Sequence, residues 1–413
     1  MSQSPQRVVV TGLGMVSSIG SDKGAVVEAL RQGRSGLVAL PEMERAGMSC
    51  HVYAPVRGWN ESKIPKRARQ TMAPVAGYAA AAAQDAVRDA DLDLGKLNAV
   101  RAGAIVGTVF GGVSEVSRMH ALLSAGRKSR AGGVGMVKFI NSTASGNLAA
   151  MLGLKGRAYS VSTSFASGLD NVGHAYELIR QGVLDVAVCG GSEEQCRLQV
   201  GPYFENLGVL PKGFNDRPAE ACRPYDADRQ GVVLSAGAGI CVLESLEHAE
   251  RRSGRIYAEI VAYAATNDGD DMFRPSGEGL ARAIRKALAE AAEHGVERID
   301  YVNSHATGTP AGDAIEAAVL RDVIGNGPLV SSTKGLSGHA LGAAGSLELT
   351  YSLLMMSKGF VAPTANLRSI APECGGLNHV QTMVRREAAA MMCLSVGIGG
   401  FNSCVMLGKT GKV

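Results

Sequence analysis

Short apolar runs alternate with amphipathic stretches along the chain, and the periods of these runs predict its elements. Residues 7–14 (RVVVTGLG) read as a buried strand entering a glycine turn. An alanine-rich helix over 73–91, an apolar strand over 100–107 and a further strand over 158–163 follow. Residues 168–182 carry apolar positions at helical spacing, and 184–189 return to strand. The second half repeats this order. Strands are predicted over 256–264, 299–304 and 329–332, and helices over 279–294, 316–324 and 342–358. The runs 390–396 and 403–407 read as a closing hairpin. Alternating strand–helix units in two similar halves predict an α/β protein whose parallel or mixed sheets are covered on both faces. The stretch 347–356 is apolar nearly all round, as expected of a helix buried between sheets. No Pro-rich or charged linker separates the halves, so no flexible hinge is expected.

Composition narrows the function classes. The chain has 413 residues, enough for one large domain or two of about 200 each. Hydrophobic residues make up 46% and charged residues 19%, which argues against extensive disorder. A net charge of +4 is small for this length and argues against a nucleic-acid partner. The eight cysteines contain no CxxC pair, so free thiols in a reducing cytosol are expected rather than a disulfide framework or a metal site. The N-terminal segment lacks the apolar stretch of a signal peptide. No uninterrupted run of about 18 apolar residues occurs, so a cytoplasmic protein without a membrane span is expected.

Three glycine-rich segments carry candidate chemistry. The first, Gly12-Leu13-Gly14, lacks glycine where a dinucleotide fingerprint needs it, at Ser17, and reads as a strand turn. The second, NSHATGTPAGD over 303–313, follows a predicted strand, where open α/β sheets place their sites. There His305 can donate to a carbonyl oxygen, while the hydroxyls of Thr307 and Thr309 can hold an extended polar arm. In the third, STKGLSGHALGAAG over 332–345, Lys334 and His339 precede an apolar helix carrying Glu348. Burial would keep His339 neutral and able to polarise a carbonyl. The alternative is a glycine-rich helix start with one satisfied core histidine.

These segments, with GIGGFN at 397–402, resemble the signature segments of β-ketoacyl-[acyl carrier protein] synthases I and II. RVVVTGLGMVSSIG at 7–20, GGSEE at 190–194, RPYDADRQG at 223–231 and DGDDMFRPSGEG at 268–279 extend the resemblance in order over the chain, the last leaning towards synthase I. The resemblance implies a thiolase fold, a duplicated five-layer α-β-α-β-α architecture with mixed sheets, with halves at 1–250 and 251–413. It also implies an acyltransferase of fatty-acid or polyketide-type chain elongation. In that reaction an acyl chain on a cysteine is joined to malonyl-ACP, which loses carbon dioxide. His305 and His339 would bind the malonyl thioester carbonyl and stabilise the enolate, with Lys334 as a supporting charge. Glu348 and Asp313 would be structural supports. Thr307 and Thr309 would hold the phosphopantetheine arm, which the carrier protein (ACP) brings; the protein itself would bind no cofactor or metal. The acidic ACP would dock on Lys63, Lys66, Arg67 and Arg69 and on Arg127, Lys128 and Arg130. A homodimer, or a heterodimer with an active synthase, is implied.

The chain departs from the resemblance at the nucleophile. The turn that should carry the reactive cysteine reads STSFASG over 162–168, which places Phe165 at the cysteine position. A phenyl ring cannot form a thioester. At two further substrate-binding positions aromatic rings are lost, leaving Val232 and Ile398, and Phe401 replaces a threonine. Three readings follow: a malonyl-ACP decarboxylase that does not condense, a silent partner resembling a chain-length factor, or an active synthase altered by an engineered Cys→Phe change.

Overall fold

One order of elements occurs twice. The first half runs β1 (Val8–Val16), α1 (Pro74–Asp89), β2 (Ala102–Gly107), α2 (Thr143–Leu152), β3 (Ala158–Tyr159), α3 (Ser167–Arg180), β4 (Val186–Glu193) and β5 (Gly237–Ser245). The second runs β6 (Ala258–Asn267), α4 (Glu278–Glu293), β7 (Tyr301–Asn303), α5 (Pro310–Ile324), β8 (Leu329–Ser331), α6 (Ala344–Lys358), β9 (Ala390–Gly397) and β10 (Phe401–Gly408). The computed structural model describes residues 5–130 and 132–410, with the side chain of Lys128 outside the described set.

The strand orders match as well: β3-β2-β4-β5-β1 in one half and β8-β7-β9-β10-β6 in the other. In each, the three outer strands are parallel and the rest antiparallel. Residues 8–10 of β1 pair with 258–260 of β6, which joins the half-sheets into one eleven-stranded sheet whose last edge is the short strand Asn378–His379. This pairing couples the two halves directly.

Period-two alternation divides the strand residues between an inner and two outer layers. In β4, Ala187 and Cys189 face an inner core with Leu169 and Val172 of α3 and Leu347 of α6. Val186 and Val188 face out, onto Ala79 and Ala83 of α1 and Leu148 of α2. In β10, Val405 and Leu407 share the inner core, while Cys404 and Met406 pack on Ile284 of α4 and Leu320 of α5. The layers are therefore α1/α2, half-sheet, α3/α6, half-sheet, α4/α5, the five-layer thiolase architecture. Strands buried on both faces read as apolar runs, which is why the sequence reveals them.

The inner helices start very close together. A Cβ on Gly168 would lie 2.7 Å from the Gly342 carbonyl oxygen, and one on Gly345 would lie 2.9 Å from Leu169 Cβ. Only glycine allows this approach, and it brings the connections preceding α3 and α6 side by side.

Two predicted elements need correction. The strand expected over 158–163 pairs only at Ala158–Tyr159, because the following residues leave the sheet to form the turn around Phe165. The helix expected over 316–324 begins at Pro310, whose fixed φ and missing N–H suit a first helical position. All eight cysteines are free and buried. Among the described residues no helix is long and apolar enough to cross a membrane.

Candidate functional site

The turn before α3 is strained and tightly held. Ser164 has φ 54°, in the left-handed region that costs a non-glycine residue energy. Ala166 N–H donates to the Thr163 carbonyl at 3.1 Å, Ser167 N–H donates to the Ser164 carbonyl at 3.2 Å, and Ser167 Oγ–H donates to that same carbonyl at 2.5 Å. From the end of β9, Gly397 presses so close that a Cβ there would lie 2.8 Å from the Thr163 oxygen. This turn presents Phe165, 9% exposed, with its ring edge-to-face with His339 at 4.8 Å and 6.0 Å from Phe204. Phe165 belongs to an apolar cluster with Cys196, Phe204 and Leu341, and Ile398 packs against that cluster.

Two histidines face the same space. His305 follows β7, and helix α5 fixes its loop: His305 N–H and Ala306 N–H each donate to a Glu316 carboxylate oxygen at 2.7 Å. One turn earlier, Asp313 accepts from Thr307 N–H at 3.0 Å, Gly308 N–H at 3.1 Å and Tyr225 N–H at 2.8 Å. Burial raises the Glu316 carboxyl and pushes Asp313 up to about 7, against these amides. His339 is held by its backbone, donating to Val233 O at 2.8 Å and accepting from Ser235 N–H at 2.9 Å. The two imidazole centroids lie 5.2 Å apart at 83°.

Burial lowers both imidazoles well below the ordinary 6.5; the Lys334 ammonium lowers them further, and for His305 so does His339. Both rings are therefore neutral at physiological pH. Lys334 Nζ pairs with Glu348 Oε1 in a buried ion pair behind them. Burial pushes Glu348 up to about 7, against the ammonium that holds it down. Nδ1 of His305 and both ring nitrogens of His339 have no hydrogen-bond partner among the described residues. Buried polar atoms are nearly always paired, so these nitrogens mark where a ligand would be held.

They open into a cavity of ≈ 350 Å³. Phe165, His305 and His339 form its buried end, Thr307 and Thr309 one wall, and Phe204, Val232 and Ile398 apolar parts of the rest. The two threonine hydroxyls lie 3.0 Å apart. Met272 and Phe273, each 64% exposed, stand with Arg274 at the outer end. Seven of the sequence-derived positions thus converge: Phe165, Val232, His305, Thr307, Thr309, His339 and Ile398. Lys334, Glu348 and Asp313 lie behind the lining. Phe401 stands apart from it, its ring covering Gly399, where a Cβ would be 2.9 Å away. Neither basic cluster lines the cavity. Lys63 pairs with Asp85 at 3.1 Å and Arg69 with Glu61 at 2.7 Å, while Lys66, Arg67, Arg127 and Arg130 are exposed. The side chain of Lys128 falls outside the described residues.

Sequence reasoning missed three contributors. Glu316 sits three residues after Asp313, on the same helix face, a spacing that could have flagged it. Glu193 ties the Thr108 loop to the turn before α6, accepting from Thr108 Oγ–H and Val109 N–H at 2.8 Å and from Gly342 N–H at 3.2 Å. In sequence, the 268–279 segment is a motif without an assigned place. It frames the cavity, because Gly399 N–H donates to Met272 O and Asp268 N–H to Gly400 O, each at 2.8 Å.

The chain matches the family described as Beta-ketoacyl synthase, N-terminal domain, over residues 5–249, and its C-terminal domain counterpart over residues 257–368. It is 39% identical over 408 residues to 3-oxoacyl-[acyl-carrier-protein] synthase 1 of Escherichia coli (strain K12), covering 98% of this chain and 99% of that protein. Among solved structures it resembles the ishigamide ketosynthase/chain length factor, with TM-score 0.91, 33% identity and coverage of 99% and 100%. It also resembles a ketosynthase solved in complex with its type II PKS acyl-carrier protein, with TM-score 0.87, 28% identity and coverage of 99% and 100%.

Proposed function

The chain belongs to the β-ketoacyl synthase family of fatty-acid and polyketide chain elongation, and from that premise we propose that it binds malonyl-ACP and decarboxylates it without condensing a second acyl chain. The observation that carries this reading is the pair of neutral, buried imidazoles, 5.2 Å apart with unpaired nitrogens, beside a phenyl ring.

The chemistry follows from those groups. One N–H of His305 and one of His339 donate to the malonyl thioester carbonyl. The bond to the carboxylate breaks, carbon dioxide leaves, and its electron pair moves onto the carbonyl oxygen as an enolate. Fixed donors aimed at developing charge act most strongly in a dry site. Water entering from the exposed end of the cavity gives a proton to the enolate carbon, the carbonyl re-forms, and acetyl-ACP and hydroxide result, the latter neutralised by solvent. Each neutral ring keeps one N–H, enough for one such hydrogen bond. Phe165 offers no lone pair, so no acyl-enzyme forms and the half-reaction stands alone.

Thr307 and Thr309 line the route by which a phosphopantetheine arm would reach the histidines. Docking of the acidic ACP on Lys63, Lys66, Arg67 and Arg69 and on Arg127, Lys128 and Arg130 would be steered by charge and weakened by salt. Exposed apolar side chains at Val116, Leu123, Met136 and Phe139 support pairing with a second subunit, in a homodimer or with an active synthase.

A second reading, a silent partner, draws support from the similarity to a ketosynthase/chain length factor. Carbon dioxide release from malonyl-ACP separates the two. The decarboxylase releases it and His305→Ala stops the release; a silent partner releases none and co-purifies with an active synthase. The third reading, an engineered change in an active synthase, requires Phe165→Cys alone to restore full condensation.

A further inference from the structure

Among the described residues that line the cavity, two side chains are charged, Asp271 and Arg274, and both are exposed. Asp271 is engaged locally: its carboxylate accepts from Phe273 N–H at 2.7 Å and Arg274 N–H at 2.9 Å, and these amides hold it below the usual carboxylate range. The Arg274 guanidinium is exposed, and no hydrogen bond or ion pair among the described residues engages it. Its loop is nevertheless fixed. Asp268 accepts from Ser276 N–H at 2.8 Å, Gly279 N–H at 3.1 Å and Asn402 Nδ2–H at 2.8 Å, which ties the loop to α4 and β10.

Ranked by exposure, the polar lining runs from the exposed Arg274, through the half-buried Thr307 and Thr309, to the buried imidazoles of His305 and His339. That order matches a molecule with an anionic group outermost, a neutral polar arm and a thioester at its tip. The geometry points to Arg274 as a specificity-determining residue that binds the 4′-phosphate of a pantetheine-linked substrate. The assignment rests on the proposal that such a thioester enters this cavity, and it adds which group on the arm is recognised and by what. Guanidinium presents several N–H donors in a planar fork that suits phosphate oxygens. An exposed Asp271 nearby moderates the attraction without occupying the guanidinium.

The test measures the affinities of 4′-phosphopantetheine and of pantetheine, neither of which can be decarboxylated, so its outcome is independent of whether the protein is a decarboxylase. The wild type is expected to bind the phosphorylated form about threefold to fivefold more tightly, as an exposed charge contact would give. In Arg274→Ala this preference disappears while pantetheine binding is unchanged; Arg274→Lys keeps part of it. Coenzyme A and holo-ACP, run in the same assay, identify which carrier of the phosphate is favoured. Equal affinities in the wild type, or a preference that survives Arg274→Ala, overturn the assignment. So does loss of both ligands in Arg274→Ala and Arg274→Lys alike, which would mark a structural role, or binding of neither ligand by the wild type.

Discussion

The connection between β3 and α3 and the connection between β8 and α6 occupy equivalent places in the two halves, yet they have diverged in chemistry. Both end at the N-terminus of an inner helix, and both meet where Gly168 approaches Gly342. The second is long and carries Lys334 and His339. The first is short, keeps a strained Ser164 at φ 54°, and presents a phenyl ring. On the reading proposed above, this strained turn is where a nucleophile would be aimed, and Phe165 supplies none. On that reading, one half of a bipartite site is silent in covalent chemistry while the half carrying His339 stays assembled.

The largest expected effect separates these connections chemically. His339→Ala or His305→Ala should lower malonyl-ACP decarboxylation by roughly 10²–10³-fold, as loss of an oxyanion donor does. Equal activity in either variant breaks the comparison. Next, Glu348→Gln leaves the buried Lys334 ammonium uncompensated and should cost ~3–5 kcal/mol in denaturant unfolding. Gly168→Ala forces the helix starts apart and should cost ~1–3 kcal/mol by overpacking. A stable Gly168→Ala protein with full activity would mean that the close approach is not what assembles the site.

A smaller effect is pH-linked. His339 is held neutral well below 6.5 by burial and by Lys334, so below that pH the unfolded chain binds a proton that the native state does not. This contribution lowers stability as pH falls, by about 1.4 kcal/mol per unit for one such group. His339→Gln should flatten the acid limb of stability against pH by that slope, as read from denaturant unfolding across pH. The smallest effect concerns approach: reversing Lys66 and Arg67 to Glu should slow holo-ACP association several-fold at low salt and little at high salt. A salt-independent change contradicts docking there.

Much of this was legible in the sequence, for physical reasons. Strands buried on both faces announce themselves as apolar runs, and residues such as His305 and His339 stand out within glycine-rich loops. The β3 extension failed because Ser160-Val161-Ser162-Thr163 keeps a strand-like alternation and cannot show where the chain leaves the sheet. The start of α5 was hidden because Thr307 to Gly312 reads as loop, although Pro310 opens the helix. Glu193 is hard to assign from sequence because its partners, the Thr108 loop and Gly342, lie far from it along the chain, whereas Glu316 is marked only by its spacing from Asp313. The role of 268–279 was hidden for a similar reason, since it depends on main-chain bonds to Gly399 and Gly400.

The most direct measurement supplies ¹³C-labelled malonyl-ACP together with an unlabelled acyl-ACP and resolves the products by mass. The account predicts labelled acetyl-ACP, an unchanged acyl-ACP and no acyl-enzyme. Labelled ketoacyl-ACP, or an acylated protein, would contradict it.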